Sequence, residues 1–122
     1  MEDTFLIVGL GNPGKDYAAT RHNVGFMVLK CLAKRLGVEW EASKKFNAHL
    51  AKSRQDGNIV FLSKPQGYMN LSGQSVVPLA QYYQIPNRRI MVVVDDLDLP
   101  LGAVRMRPVS YTHLTLPTIL LV

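Results

Sequence analysis

The chain has 122 residues, of which 48% are hydrophobic and 19% charged, and 14 Lys and Arg against 9 Asp and Glu give a net charge of +5. This length fits one domain, and the composition excludes disordered and fibrous classes. A single cysteine, Cys31, excludes an internal disulfide and a Cys-x-x-Cys metal or redox site. The apolar runs are too short to span a membrane and the acidic N-terminus is unlike a secretory leader, so we predict a cytoplasmic protein with no membrane partner.

The first third of the chain predicts a strand, a glycine-rich loop and a helix. Residues 4–10 form a short apolar run rich in β-branched side chains, and residues 11–14 have the composition of a turn. Apolar residues then recur at helical spacing from about Thr20 to Gly37, and Gly37 supplies a stop. Cys31 falls on this apolar stripe, so we predict that it belongs to the core.

The middle of the chain predicts a hairpin, a second helix and a buried strand. Residues 48–54 and 58–64 are strand-like runs joined through an Asp-Gly pair, which is typical of a tight hairpin. A helix is predicted from about residues 70–72 to 84, with a late start or a kink because Pro78 lacks a backbone donor. Ile90–Val94 is continuously apolar, which predicts a central strand buried on both faces, and a further strand begins near residues 103–107.

The order β-α-β-β-α-β predicts an α/β fold. We expect one domain of three layers, in which helices flank a twisted mixed sheet. Ligands of such sheets bind beyond the carboxyl ends of the strands. The loops at residues 11–19 and 95–100 should therefore meet at one edge of the sheet.

The glycine-rich loop has two interpretations. Residues 9–14 match the dinucleotide fingerprint G-x-G-x-x-G after a predicted strand. A dinucleotide site also needs an acidic residue about 20 positions further on, where the sequence has Lys34 and Arg35. The first acidic residues after them, Glu39 and Glu41, are predicted to lie between elements. A glycine-rich turn is therefore the favoured interpretation, and a nucleotide cofactor is the weaker alternative.

Polar residues near the same edge could carry chemistry. His22 is either a capping or surface residue or, if Asp95 reaches its ring, a general base that takes a proton from water. Asp95, Asp96 and Asp98 could instead form a solvated turn or a cap, and a Mg²⁺ or Ca²⁺ site is a lesser possibility. Asn70 is either a helix N-cap or an amide that donates to a carbonyl oxygen as charge builds on it.

Four motifs in the sequence resemble those of the bacterial-type peptidyl-tRNA hydrolase family. They are residues 8–14 (VGLGNPG), 17–25 (YAATRHNVG), 68–73 (YMNLSG) and 94–100 (VDDLDLP), and the resemblance covers about residues 5–107. It implies an enzyme that hydrolyses the ester between a peptide and the 3′-terminal ribose of tRNA, and so recycles tRNA during translation. It also implies a monomer that needs no metal or organic cofactor. The positive net charge suits phosphate contacts with tRNA.

The resemblance further implies roles for individual residues. His22 matches the general base that activates water, and Asp95 matches the aspartate that orients it. Four residues match substrate-binding positions, at which the asparagines hold the peptide backbone and the carbonyl under attack and the other two line the cleft: Asn12, Tyr17, Met69 and Asn70. Arg105 matches a basic residue that contacts the tRNA 5′-phosphate, and Arg107 lies near it, two positions further on.

The end of the chain departs from the family's pattern. After Arg107 the family continues with a glycine-rich segment, more sheet and C-terminal helices, and the sequence contains none of them. Residues 108–122 carry no Lys, Arg, Asp or Glu, and two prolines interrupt them. We therefore expect residues 1–107 to be a truncated family domain and residues 108–122 to be an irregular, foreign tail. On this expectation the chain is alternatively an inactive fragment that retains at most weak tRNA binding.

Overall fold

The structure is a computed structural model that describes residues 3–11, 24–66, 73–94, 105–107 and 118–121. These residues form seven strands and two α-helices. In chain order the elements are β1 (Thr4–Gly9), α1 (Val24–Leu36), β2 (Glu41–Ser43), β3 (Ala48–Gln55), β4 (Asn58–Pro65), α2 (Gly73–Tyr82), β5 (Ile90–Val94), β6 (Arg105–Arg107) and β7 (Thr118–Leu121).

The strands form one mixed sheet in the order β2-β3-β4-β1-β5-β7-β6. The neighbours β4, β1, β5 and β7 are parallel, whereas the pairs β2–β3, β3–β4 and β6–β7 are antiparallel. β5 lies between two parallel neighbours, and its residues Ile90, Val92 and Val93 are buried. The prediction of a central strand buried on both faces is therefore confirmed.

The two helices cover opposite faces of the sheet. Val76 and Leu79 of α2 pack with Leu6, Val8 and other side chains of one face. Leu29 and Ala33 of α1 pack with Leu62, Val93 and Ala51 on the other. Burial of apolar side chains on both faces stabilises this arrangement, because each face alone would expose its apolar surface to water. The structure confirms the predicted three-layer α/β class.

Two turns predicted from glycine have the expected geometry. Asp56 and Gly57 both have positive φ, 52° and 82°, which is the conformation of the two-residue turn that fits the twist of a hairpin. Gly37 has a φ of 70° and follows the last residue of α1. The Val38 N–H there donates to the carbonyl oxygen of Ala33 at 3.0 Å. This bond gives a partner to one of the carbonyl groups at the C-terminal end of the helix.

The prediction that Cys31 belongs to the core is wrong. The buried residues of α1 are Gly25, Leu29 and Ala33, spaced four apart, whereas Cys31 is exposed. Cys31 follows Leu29 by two residues, which is about 200° around a helix, and so it lies on the opposite side. Met27 shares that side and is 47% exposed.

Two short strands lie where the sequence predicts none. Glu41, predicted between elements, lies in β2 and pairs with Leu50 of β3. Residues 118–121, predicted as part of an irregular tail, form β7, which pairs with both β5 and β6. A strand between two others favours uncharged, apolar residues, and so the lack of charge that marked this segment as foreign also suits it to the sheet.

The second helix runs through its proline. α2 begins in the structure at Gly73 and contains Pro78. Its predicted start at residues 70–72 lies outside the described residues. The prediction of a helix over this part of the chain is confirmed.

Candidate functional site

The parallel strands bring four chain segments to one edge of the sheet. β1, β4, β5 and β7 end at Gly9, Pro65, Val94 and Leu121, and we call this side of the sheet the carboxyl edge. The sequence motifs at residues 8–14, 68–73 and 94–100 each span or follow one of these strand ends. Loops that leave the carboxyl ends of parallel strands are where ligands of α/β proteins bind.

Most of the predicted site residues lie outside the part of the chain that the structure describes. They are the two predicted catalytic residues and the four predicted substrate-binding residues: His22, Asp95, Asn12, Tyr17, Met69 and Asn70. Arg105 and Arg107 are on β6. Arg105 pairs with Leu121, which pairs in turn with Val94, so the backbone of Arg105 lies at the carboxyl edge. At the usual strand spacing, Arg105 is about 10 Å from Val94, and Arg107 is further from the edge.

The start of α1 contacts the backbone of both central strands. A methyl group on Gly25 would lie 2.5 Å from the Leu10 nitrogen and 2.5 Å from the Val93 oxygen. The Leu10 N–H also donates to the Val93 carbonyl oxygen at 2.9 Å. Only glycine permits so close an approach of a helix to a sheet. The backbone therefore fixes three chain segments against one another at the carboxyl edge.

The turn between β2 and β3 is bonded to both sides of the segment 67–72. The Gln66 N–H donates to the Asn47 carbonyl oxygen at 2.9 Å, just before this segment. The Ser75 hydroxyl donates to the Phe46 carbonyl oxygen at 2.5 Å, just after it, and Ser75 is buried. Two consecutive carbonyl groups of one turn therefore hold the chain on either side of the motif that contains Met69.

A group of basic residues lies on the α1 face of the sheet near the same edge. Lys64, next to last in β4, is only 8% exposed, and its Nζ atom lies 4.2 Å from the centre of the Trp40 ring. His49 of β3 is paired with Lys64 across the hairpin. Lys30 of α1 is exposed and acts electrostatically on Lys64. We call Lys30, His49 and Lys64 the cationic cluster.

Burial and like charge disfavour protonation in the cationic cluster. Burial lowers the pKa of Lys64, and the charge of Lys30 lowers it further. Burial also lowers the pKa of His49, and the charge of Lys64 adds to this effect. Within the described part of the chain, none of the three residues pairs with a carboxylate.

The cationic cluster was not predicted from the sequence, although the sequence contains a signal for part of it. The Asp56-Gly57 turn sets the hairpin register, and this register places residue 49 opposite residue 64. Lys64 also interrupts an apolar strand, which is an uncommon place for a lysine. The position of Lys30 could not be obtained in this way, because it depends on how α1 packs on the sheet.

We expect the free energy of unfolding to rise with pH in the interval just below 6.5, the ordinary pKa of histidine. The pKa of His49 is lower in the folded state, so in that interval the unfolded state binds more protons and acid favours unfolding. His49→Gln should therefore lose less stability on acidification than the unmodified chain. Urea unfolding between about pH 5 and 8 measures this. An unchanged pH dependence in the variant would contradict the expectation.

In residues 3–11, 24–66, 73–94, 105–107 and 118–121, no group of three His, Cys, Asp or Glu side chains is placed to hold a metal ion. The helices in this part of the chain are all too short or too polar to cross a membrane.

The fold and the edge together define an α/β protein with a three-layer core and a candidate ligand site at the carboxyl ends of parallel strands. The profile of a family described as peptidyl-tRNA hydrolase matches residues 6–113. The chain is 51% identical over 102 residues to the peptidyl-tRNA hydrolase of Nocardia farcinica, covering 84% of this chain and 53% of that protein. It is 52% identical over 102 residues to the peptidyl-tRNA hydrolase of Desulfitobacterium hafniense, covering 84% and 54%.

A solved structure agrees with these sequence matches. The crystal structure of peptidyl-tRNA hydrolase from Acinetobacter baumannii superposes with a TM-score of 0.87 at 36% identity, covering 99% of this chain and 68% of that one. The chain belongs to the peptidyl-tRNA hydrolase family. It spans about half the length of the curated relatives it matches.

Proposed function

We propose that the chain hydrolyses the ester bond between peptide and tRNA in peptidyl-tRNA, and thereby recycles tRNA during translation. Membership of the peptidyl-tRNA hydrolase family supports this reaction. The structural observation that carries it is the backbone contact of Leu10, Gly25 and Val93 at the carboxyl edge. Asn12, His22 and Asp95 are two, three and two positions away from these residues in the sequence, and a chain of that length spans at most about 7–11 Å.

In the proposed mechanism His22 acts as general base. It takes a proton from water while the water oxygen attacks the ester carbonyl carbon, and Asp95 orients the imidazole and stabilises its positive form. Amide donors from Asn12 and Asn70 stabilise the negative charge that builds on the carbonyl oxygen. The bond between this carbon and the ribose oxygen then breaks, and the proton passes to the ribose oxygen. This route needs neither a covalent nucleophile nor a metal.

Contacts with tRNA complete the proposal. Arg105, whose backbone lies at the carboxyl edge, would contact a tRNA phosphate together with Arg107. Tyr17 and Met69 would line the cleft that holds the peptide. We further propose that the protein is cytoplasmic and monomeric, and that residues 1–107 carry the family part of the domain.

Peptide release from peptidyl-tRNA tests the proposed function. The chain should release a labelled peptide, and EDTA should leave the rate unchanged because no metal takes part. The alternative of an inactive fragment gains no support from the family match. A chain that is folded by circular dichroism and yet releases no peptide would contradict the proposed function and favour that alternative.

A further inference from the structure

Among the residues that the structure describes, no carboxylate lies in contact with the cationic cluster. Charged side chains that are removed from water are normally paired, because the loss of hydration must be offset by another charge or by hydrogen bonds. Lys64 is 8% exposed and has the Trp40 ring on one side, which offsets only part of this cost. Lys30 adds positive charge nearby rather than negative, and His49, whose pKa is lowered, supplies no negative charge either. Lys64 therefore has the environment of a side chain that an anion would stabilise.

We propose that the cationic cluster binds a phosphate group of the RNA backbone, as a contact separate from the one proposed for Arg105. This inference rests on the proposed function, since it assigns the anion to the tRNA part of the substrate. A phosphate can accept hydrogen bonds from the ammonium groups of Lys64 and Lys30 and from the ring N–H of His49. Its negative charge also offsets the repulsion between Lys64 and Lys30 and favours the protonated form of His49.

The position of the cluster favours RNA over an anion from elsewhere. Lys64 is next to last in β4 and lies at the carboxyl edge, two residues before Gln66. The same edge carries Arg105 at the far side of the sheet, four strand spacings or about 19 Å away. One RNA helix lying along the edge could therefore contact both positions, and the site between them is where the proposed chemistry occurs.

The salt dependence of tRNA affinity tests this site. Each phosphate contact contributes about 0.7–0.9 to the slope of log Kd against log salt concentration. Lys64→Met should reduce the slope for deacylated tRNA by about this amount, and Lys30→Met should reduce it by less. Lys52→Met is the matched control, because it removes the same charge from a lysine that lies against Phe61 on the opposite face. It should leave the slope unchanged.

Thermal unfolding in inorganic phosphate gives a second readout that does not depend on tRNA. Phosphate should raise the Tm of the chain above its value in chloride at equal ionic strength. This increment should fall in Lys64→Met and Lys30→Met and persist in Lys52→Met. Lys30 is exposed, so Lys30→Met should still fold. Its phosphate increment therefore tests the site even if Lys64→Met fails to fold.

The outcomes separate this inference from the proposed function. Peptide release together with slopes and phosphate increments that are equal in all variants would overturn the cationic cluster as a phosphate site and leave the proposed function intact. The phosphate site would also be overturned if Lys52→Met reduced the salt slope and the phosphate increment as much as Lys64→Met does, because the effect would then reflect net charge alone. Absence of peptide release would contradict the proposed function, while the phosphate increments would still decide whether the cluster binds an anion.

Discussion

His22→Ala is expected to slow peptide release from peptidyl-tRNA by about 10²–10⁴-fold and to leave the Kd for tRNA nearly unchanged. The variant removes the group proposed to accept a proton from water, and a positioned general base contributes about this factor. It removes no proposed phosphate contact, so the electrostatic part of tRNA binding should persist. Single-turnover release at saturating enzyme measures the chemical step, and titration with deacylated tRNA measures the affinity.

Two further variants make this result specific. His113→Ala removes a histidine that follows the last of the four motifs, at the end of the residues that match the family profile, and it should leave release unchanged. Asp95→Asn should slow release, but less than His22→Ala, because the amide can still position the ring while it no longer stabilises the positive charge. If His22→Ala weakened tRNA binding as much as release, His22 would be a binding residue and the proposed mechanism would be wrong.

The elements with strong local signals could be predicted from the sequence. The Asp56-Gly57 turn set the register of the β3–β4 hairpin, because only a few turn types join two strands through two residues. Ile90–Val94 was identified as the central strand because a strand that is buried on both faces needs apolar residues at every position. The order of these elements predicted that β1 and β5 end at the same edge of the sheet, and the parallel pairing of the two strands confirms this.

Elements that depend on tertiary contacts could not be predicted in this way. β2 has three residues and β7 has four, so neither shows a pattern long enough to separate a strand from a loop. Each is stabilised as a strand by the neighbour that it pairs with. The side of α1 that faces the sheet was also misjudged, because the small residues Gly25 and Ala33, rather than the larger Met27, allow the closest packing.

In the candidate site too, some features have a local sequence signal and others depend on tertiary contacts. The sequence motifs predicted which residues carry the chemistry, and His22, Asp95 and the other catalytic and substrate-binding residues remain predictions. The contacts that hold the chain on either side of these residues could be identified only in the structure. The hydrogen bond from Ser75 to Phe46 joins residues 29 positions apart, and no local pattern indicates such a pair. These contacts matter for function because they restrict where the neighbouring chain, and with it the side chains of the site, can lie.

Gly25→Ala is expected to destabilise the chain by about 3 kcal/mol or more and to lower peptide release even where the protein stays folded. The added methyl group would lie 2.5 Å from the Leu10 nitrogen and from the Val93 oxygen. Both atoms belong to backbone that is held in place by the sheet, so neither can move aside cheaply. α1 must therefore shift away from β1 and β5, and its N-terminal end, which follows His22 in the chain, must shift with it.

Gly37→Ala separates this effect from the general cost of replacing glycine. Gly37 has a positive φ, but a methyl group there would meet open space, so the expected loss is only about 1–2 kcal/mol of backbone strain. Gly37 also lies at the opposite end of α1, so peptide release by the folded protein should not change. Urea unfolding and peptide release of the two variants measure both effects. A loss of stability in Gly25→Ala no larger than that in Gly37→Ala would mean that the helix can yield at this contact, and the contact could then not be what holds the start of α1 at the carboxyl edge.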